Sequence, residues 1–312
     1  MARKITLSAL GPRPINGEPS RPHQQAVDEM IQHWKGQLEL VLPDRPDLIV
    51  VPEASDRYPN YPLEQRLEYY RTRRDQVRDF FAGVAREQHC YVAYSAAREV
   101  ADGTGRNSTQ VLDRVGNVAG IYNKNHLVVE ETTKAGILCG KAARLVQTDF
   151  GSLACAICFD LNFEPVRAAY KAQRPDLIVF CSMYHGGLMQ QVWAYDCRAH
   201  FVGAVAGAEC TVINPLGEKI AHSTNYTHWI TTQINLDCTL AHIDYNNGKF
   251  RAMKQKYGRG VTISDPGYLG CVLLTNEMEG MTIRDLVAEF EIELLDDYWA
   301  RALQHRAENT EP

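Results

Sequence analysis

The chain has 312 residues, long enough for one large α/β domain or two modest ones. Its apolar share of 45% and charged share of 23% are ordinary for a globular protein. A net charge of −5 without a basic, aromatic-interleaved stripe argues against nucleic-acid binding, and no apolar run approaches the roughly 20 residues that span a membrane. The N-terminus, MARKITLSALGPRP, is expected to be a first strand. A signal h-region would be longer and end in small residues, so the expected location is the cytoplasm.

The pattern then alternates. Lys4–Leu10 is expected as a strand, and Arg21–Leu42 as a helix with Val27, Met30, Ile31, Trp34, Leu38 and Val41 on one face. RPDLIVVPE, Arg45–Glu53, is an apolar strand opened by a turn, and Leu63–Glu87 a long amphipathic helix. Strands follow near Cys90–Ser95, Ser108–Asp113 and Ala119–Asn123, with a hairpin turn at Gly116-Asn117. After a loop rich in Glu, Thr and Gly come strands at Arg144–Thr148 and Ser152–Cys158, a helix at Glu164–Gln173, a strand at Arg174–Ser182 and a helix at Leu188–His200. Strands at Phe201–Ala206, Cys210–Asn214 and His228–Asn235 precede a helix over Thr239–Tyr257 and an acidic tail of mixed helix and irregular chain. No linker or low-complexity segment interrupts this, which predicts a single domain over residues 1–280 with a C-terminal tail over 281–312.

RPDLIV occurs twice, at Arg45–Val50 and Arg174–Val179, each time after a helix and before a loop. The repeat predicts two related β-α-β halves around a pair of sheets. Ligands of open α/β sheets lie beyond the carboxyl ends of the strands. The residues past the two copies, Pro52-Glu53 and Cys181-Ser182-Met183, are therefore expected to face one pocket.

The nine cysteines suit buried, reduced thiols. Cys155 and Cys158 match C-x-x-C, but a zinc ribbon needs a second pair and a redox motif needs a helix N-terminus. No metal site and no cofactor is expected. Three reactive side chains instead stand at the carboxyl ends of apolar strands: Glu53, Lys124 and Cys158. Taken singly, each is more often a solvated loop residue or a small core thiol.

Together, PEAS with Glu53, YNKNHL with Lys124 and CFDLNFEP with Cys158 resemble the nitrilase superfamily of carbon–nitrogen hydrolases, from the first strand to about Gly260. The resemblance implies a four-layer α-β-β-α sandwich, a homodimer or higher homo-oligomer assembled through an outer helical layer, and no cofactor. It also implies a Glu-Lys-Cys triad acting on a non-peptide amide, a carbamoyl compound or a nitrile. Cys158 would be the nucleophile and Glu53 the proton shuttle. Lys124, with the backbone N–H of Phe159, would support the oxyanion, and water would cleave the thioester. A further acid that places the substrate would be Glu130 or Glu131, with Glu131 preferred.

A His-based thiol mechanism through His126 or His185 lacks the local signature of that class, so His126 is expected to hold structure. Cys158-Phe159-Asp160 stands where nitrile-cleaving members show Cys-Trp-Glu, which favours an amide or carbamoyl substrate. Leu161 and Asn162 stand where carboxylate-binding members carry Arg, leaving Arg167 or Arg198 as substitutes. Tyr184 and His185, in CSMYHGGL, are expected to line the pocket, with Gly186-Gly187 allowing the turn. A transferase shares the first half-reaction and is not separated by sequence; the intact Glu53, Lys124 and Cys158 argue against a silent binding scaffold. The tail with Leu294, Leu295, Tyr298 and Trp299 either crosses to a neighbouring subunit or packs on its own domain.

Overall fold

The computed structural model describes residues 1–311 and divides into two units, residues 5–234 and residues 1–4 together with the chain from Asn235 onward. The first unit begins β1 (Lys4–Leu10), α1 (His23–Leu38), β2 (Leu48–Val50), α2 (Leu63–Arg73), α3 (Gln76–Gln88), β3 (Tyr91–Glu99), β4 (Gly105–Leu112), β5 (Val118–Asn123) and α4 (Val129–Thr133). It continues with β6 (Val146–Gln147), β7 (Ser152–Ile157), α5 (Glu164–Gln173), β8 (Leu177–Ser182), α6 (Leu188–Cys197), β9 (His200–Val205), β10 (Thr211–Ile213), β11 (Lys219–His222) and β12 (Trp229–Asn235). Two six-stranded sheets result, ordered β12-β1-β2-β3-β4-β5 and β11-β10-β9-β8-β7-β6. Flanked by helices, they form an α-β-β-α sandwich.

The expected halves are present strand for strand. β1, β2 and β3 run parallel and β4 and β5 return antiparallel; β7, β8 and β9 run parallel and β10 and β11 return antiparallel. The repeated hexapeptide does the same physical work twice. Arg45 and Arg174 both take left-handed backbone at φ of +50° and +53°, ending the preceding helical turn. Asp47 accepts a hydrogen bond from Thr6 N at 2.9 Å, and Asp176 one from Ser152 N at 2.8 Å. Each aspartate thus ties its own strand, β2 or β8, to the parallel strand beside it.

The outer face of the first sheet packs Ile49, Val92, Tyr94 and Leu112 against Val27, Met30 and Trp34 of α1 and Val77 and Phe81 of α3. Burying a side chain of this size contributes about 1.5–3 kcal/mol. The expected apolar stripe of α1 is therefore the buried one, with Ile31 at its margin. The helix stops at Leu38, and Leu42–Asp44 form a separate short turn.

Three other expectations differ. The helix expected over 63–87 breaks at Arg74, whose φ of +44° no helix accommodates; Arg73 is drawn inward there to a buried partner. α4 and β11 form in segments with weak periodicity. The helix expected over 239–257 is a strand followed by a helix.

That strand belongs to the second unit: β13 (Cys238–His242), α7 (Asn247–Tyr257), β14 (Val261–Ser264), β15 (Cys271–Asn276), α8 (Ile283–Glu289) and α9 (Leu295–Glu308). The strands pair antiparallel as β13-β15-β14 over a core of Phe250, Met253, Leu274 and Leu286. Tyr245 at φ of +62° separates β13 from α7. The segment expected as a tail from 281 packs within this unit: Thr282 and Asp285 cap α8 reciprocally, Leu295 is buried, and Tyr298 stacks on His242 at 3.7 Å.

Candidate active site

Glu53, Lys124 and Cys158 come together although 105 residues separate the first from the last in sequence (158 minus 53). Each leaves the end of a strand. Glu53 follows β2, Lys124 follows β5, and Cys158 is the first residue after β7.

The Glu53 loop is held from below. Trp34 Nε1 donates to Ser55 O at 2.8 Å, and Ser55 N donates to Ser95 O at 3.0 Å. Asp56 is wholly buried, with Arg73 Nη1 at 2.6 Å and the Tyr94 hydroxyl bonded to the same oxygen. Burial opposes the Arg73 charge, but Asp56 and its neighbours outweigh that and raise its pKa. Removing one partner of such a pair strands the other charge in the interior. Arg73→Met should therefore destabilise the protein by about 3–5 kcal/mol, read by chemical denaturation. An unchanged midpoint would show that the pair does not hold this loop.

Lys124 is buried and bonded at both ends of its backbone, N to Asn107 O at 2.8 Å and O to Gly140 N at 2.7 Å. Its Nζ lies 2.8 Å from Glu53 Oε1 and 2.8 Å from Glu131 Oε2. Burial opposes its charge, yet Glu53 and then Glu131 outweigh burial and raise its pKa, so it stays an ammonium. Glu131, not the exposed Glu130, is the acid brought to the lysine. Glu131 Oε2 also accepts from Val128 N at 3.0 Å, fixing the first turn of α4.

Asn107 was not among the sequence candidates. From β4 its Nδ2 donates to Glu53 Oε1 at 2.8 Å and to Glu131 Oε1 at 2.9 Å, clamping the two carboxylates on either side of Lys124. The available signal was the run Asn107-Ser108-Thr109-Gln110, which is polar yet buried within a strand. The other oxygen of Glu53, Oε2, accepts from Met183 N at 3.2 Å, from the segment just past β8. The two ends of the RPDLIV strands thus meet at one carboxylate.

Cys158 starts a short 3₁₀ turn, Cys158–Asn162, at a φ of +47°. A non-glycine residue in that region is costly and persists only where its surroundings fix it. Asp160, wholly buried, supplies the fixing. It accepts from Ile157 N at 3.1 Å, the Tyr122 hydroxyl at 2.8 Å and His126 N at 2.8 Å. Burial raises its pKa and these donors oppose the rise. The His126 ring stacks on Phe163 at 3.9 Å and turns Nδ1 to Asp160, so it braces the turn.

The Cys158 thiol is half-buried, and Glu53, Lys124 and Ser182 all act on its ionisation. Burial first, and the Glu53 charge second, push its pKa up to about 12 against the pull of Lys124. It therefore rests as a thiol with a carboxylate beside it. Phe159 occupies the second position of the 3₁₀ turn, where backbone N–H groups lack an acceptor within the turn.

Tyr184 and His185 lie one step further along. Tyr184 N donates to Ser182 Oγ at 2.8 Å, and the Tyr184 and His185 rings contact each other at 4.6 Å. Among the described residues, neither ring hydrogen-bonds to the Glu53–Lys124 cluster. Gly186 and Gly187 take φ of +69° and +52°, and a Cβ on Gly186 would meet Gln190 and Leu161 at 2.9 Å, so this turn requires glycine. Arg167 is tied to Asp196 at 2.9 Å on the helical layer. Among the described residues no group of three or more His, Cys, Asp or Glu side chains is placed to hold a metal ion, and no helix is long and apolar enough to cross a membrane.

The family profile for carbon–nitrogen hydrolases matches residues 17–239. Among solved structures, a carbon–nitrogen hydrolase from Helicobacter pylori superposes with a TM-score of 0.61 at 17% identity, covering 75% of this chain and 90% of that one. An amidase from Nesterenkonia sp. gives 0.60 at 15% identity, covering 80% and 95%. Saccharomyces cerevisiae Nit3, of the nitrilase superfamily, gives 0.58 at 15% identity, covering 74% and 90%. No curated protein sequence matches the chain.

Proposed function

The chain belongs to the carbon–nitrogen hydrolase family of the nitrilase superfamily, and from that premise we propose a thiol-dependent hydrolase of a small non-peptide amide or carbamoyl compound, acting through a Cys158 thioester. One observation carries the reading: the two oxygens of Glu53 are set to different tasks. Oε1 is held by Lys124 and Asn107, while Oε2 is held by Met183 N, and the carboxylate acts on the ionisation of the Cys158 thiol.

The steps follow from those positions. Glu53 takes the thiol proton as sulfur attacks the carbonyl carbon. The C–S bond forms and the carbonyl electron pair moves to oxygen, where Lys124 Nζ and the Phe159 N–H stabilise the charge. Collapse of this intermediate breaks the C–N bond, and the proton on Glu53 passes to the departing nitrogen. Glu53 then deprotonates a water, which attacks the thioester; the released acid leaves the sulfur to recover its proton. Asn107 and Glu131 position Lys124 and Glu53, while Tyr184 and His185 shape the wall nearest Ser182. Family membership supports a homodimer or larger homo-oligomer. The free, mostly buried thiols fit a reducing compartment such as the cytoplasm.

The test is ammonia release from a panel of small amides, N-carbamoyl amino acids and nitriles. Release from the amide or carbamoyl class, lost in Cys158→Ala, is the expected result. Release from nitriles alone would overturn the substrate class. Turnover only with an added amine acceptor would make the protein a transferase.

A further inference from the structure

A cavity of about 1140 Å³ opens beside the cluster, wholly within the 5–234 unit. It reaches the cluster at Ala54, Asn107 and Glu131, and Cys158 is not on its wall. It therefore suits the part of a substrate remote from the scissile bond. Eight cationic side chains line it against four acidic ones, in a chain whose net charge is −5. Of the acids, Glu131 is committed to Lys124 and Asp75 to Arg78.

Several of the cations have no such commitment. Among the described residues no carboxylate lies within salt-bridge distance of Arg57, Arg66, Arg71 or Arg98. Arg98 and Arg106 face each other directly across the β3–β4 ladder. Like charges in that register repel and destabilise a sheet. Arg98 Nε donates only to Ser108 Oγ, at 3.2 Å. Arg106 gives Nη1 to Thr104 Oγ1 and Gly105 O and meets only the exposed Asp102, at 3.7 Å. Burial and the neighbouring Arg106 charge both press the Arg98 guanidinium pKa down. Two half-buried guanidinium groups paired with each other are relieved by an oxyanion placed between them, which each can grip with parallel N–H bonds.

We propose that this cavity is an oxyanion subsite, and that the substrate carries, besides its scissile C–N bond, a carboxylate or phosphate held by Arg98 and Arg106 with Arg66 beside them. The substrate role rests on the hydrolase reading; the anion site does not. It also replaces the clamp missing at Leu161 and Asn162 with one built on a different part of the chain.

The test is calorimetric titration of the full chain with glutarate, inorganic phosphate and the neutral diamide of glutarate. An anion is expected to bind more tightly than the diamide, and glutarate against phosphate identifies the group. Binding should weaken by about 10–100-fold in Arg98→Gln and in Arg106→Gln, with partial recovery in Arg98→Lys, as loss of charge-assisted hydrogen bonds implies. Arg66→Gln, on the surface of α2, gives a second reading independent of the sheet and should weaken binding in the same direction. In turnover, the preference for the monoamide of glutarate over the diamide should fall by a similar factor in Arg98→Gln. Anions binding no better than the diamide, or equally well in all the variants, would overturn the subsite. Cys158-dependent ammonia release would then still stand, which separates this failure from failure of the hydrolase reading.

Discussion

Cys158→Ala should lower turnover by about 10⁶-fold, the size of loss seen when a nucleophile acting as one unit with its base is removed. The fold should survive. The side chain is small and half-buried, and alanine meets the same left-handed backbone at φ of +47° that cysteine does. What fixes that backbone is Asp160, with its three donors from Ile157, Tyr122 and His126, and none of these is touched by the change. Ammonia release and circular dichroism on the same sample separate the two effects. Turnover within tenfold of wild type would remove sulfur from the mechanism.

Glu53→Gln should lower turnover by about 10²–10⁴-fold, the usual worth of a positioned proton-transfer group. A second readout moves in the opposite sense. The Glu53 charge is one of the causes that hold the Cys158 pKa at about 12, and Lys124 pulls it down. With glutamine, the raising charge is gone and the lysine remains, so the thiol ionises at lower pH than in wild type. The rate of Cys158 alkylation by iodoacetamide should therefore rise at a lower pH in the variant, even as turnover falls. In wild type no inflection is expected near the ordinary thiol value of about 8.5. A variant that loses turnover while its alkylation profile stays put would make Glu53 a structural residue and not the proton shuttle.

The parts of this site legible in the sequence share a physical character. Glu53, Lys124 and Cys158 each interrupt an apolar strand at its carboxyl end, where a reactive side chain contradicts its surroundings. The RPDLIV repeat was legible because both copies need the same left-handed arginine and the same strand-tying aspartate. Asn107 was not, because its work is to bridge two carboxylates contributed by distant segments, and that is invisible until β4 is laid beside β3 and β5. The break at Arg74 carries no glycine or proline; tertiary structure imposes it by drawing Arg73 to Asp56. The second unit was misread for a related reason. Cys238–His242 is a strand through its pairing with Cys271–Asn276, a segment that lies beyond α7 and β14 in the chain, which no local periodicity reports. The arginine wall is scattered over α2, β3 and β4, and only the β3–β4 register shows that Arg98 and Arg106 confront each other.

The most direct test of the proposed chemistry is to trap the intermediate. Wild-type protein turning over its best amide would be acid-quenched and measured by intact mass and peptide mapping, with a parallel reaction containing hydroxylamine. A substrate-derived acyl group on the peptide containing Cys158, together with the hydroxamate product, is the result expected of a thioester on that sulfur. Steady ammonia release with neither an adduct on Cys158 nor any hydroxamate would contradict it.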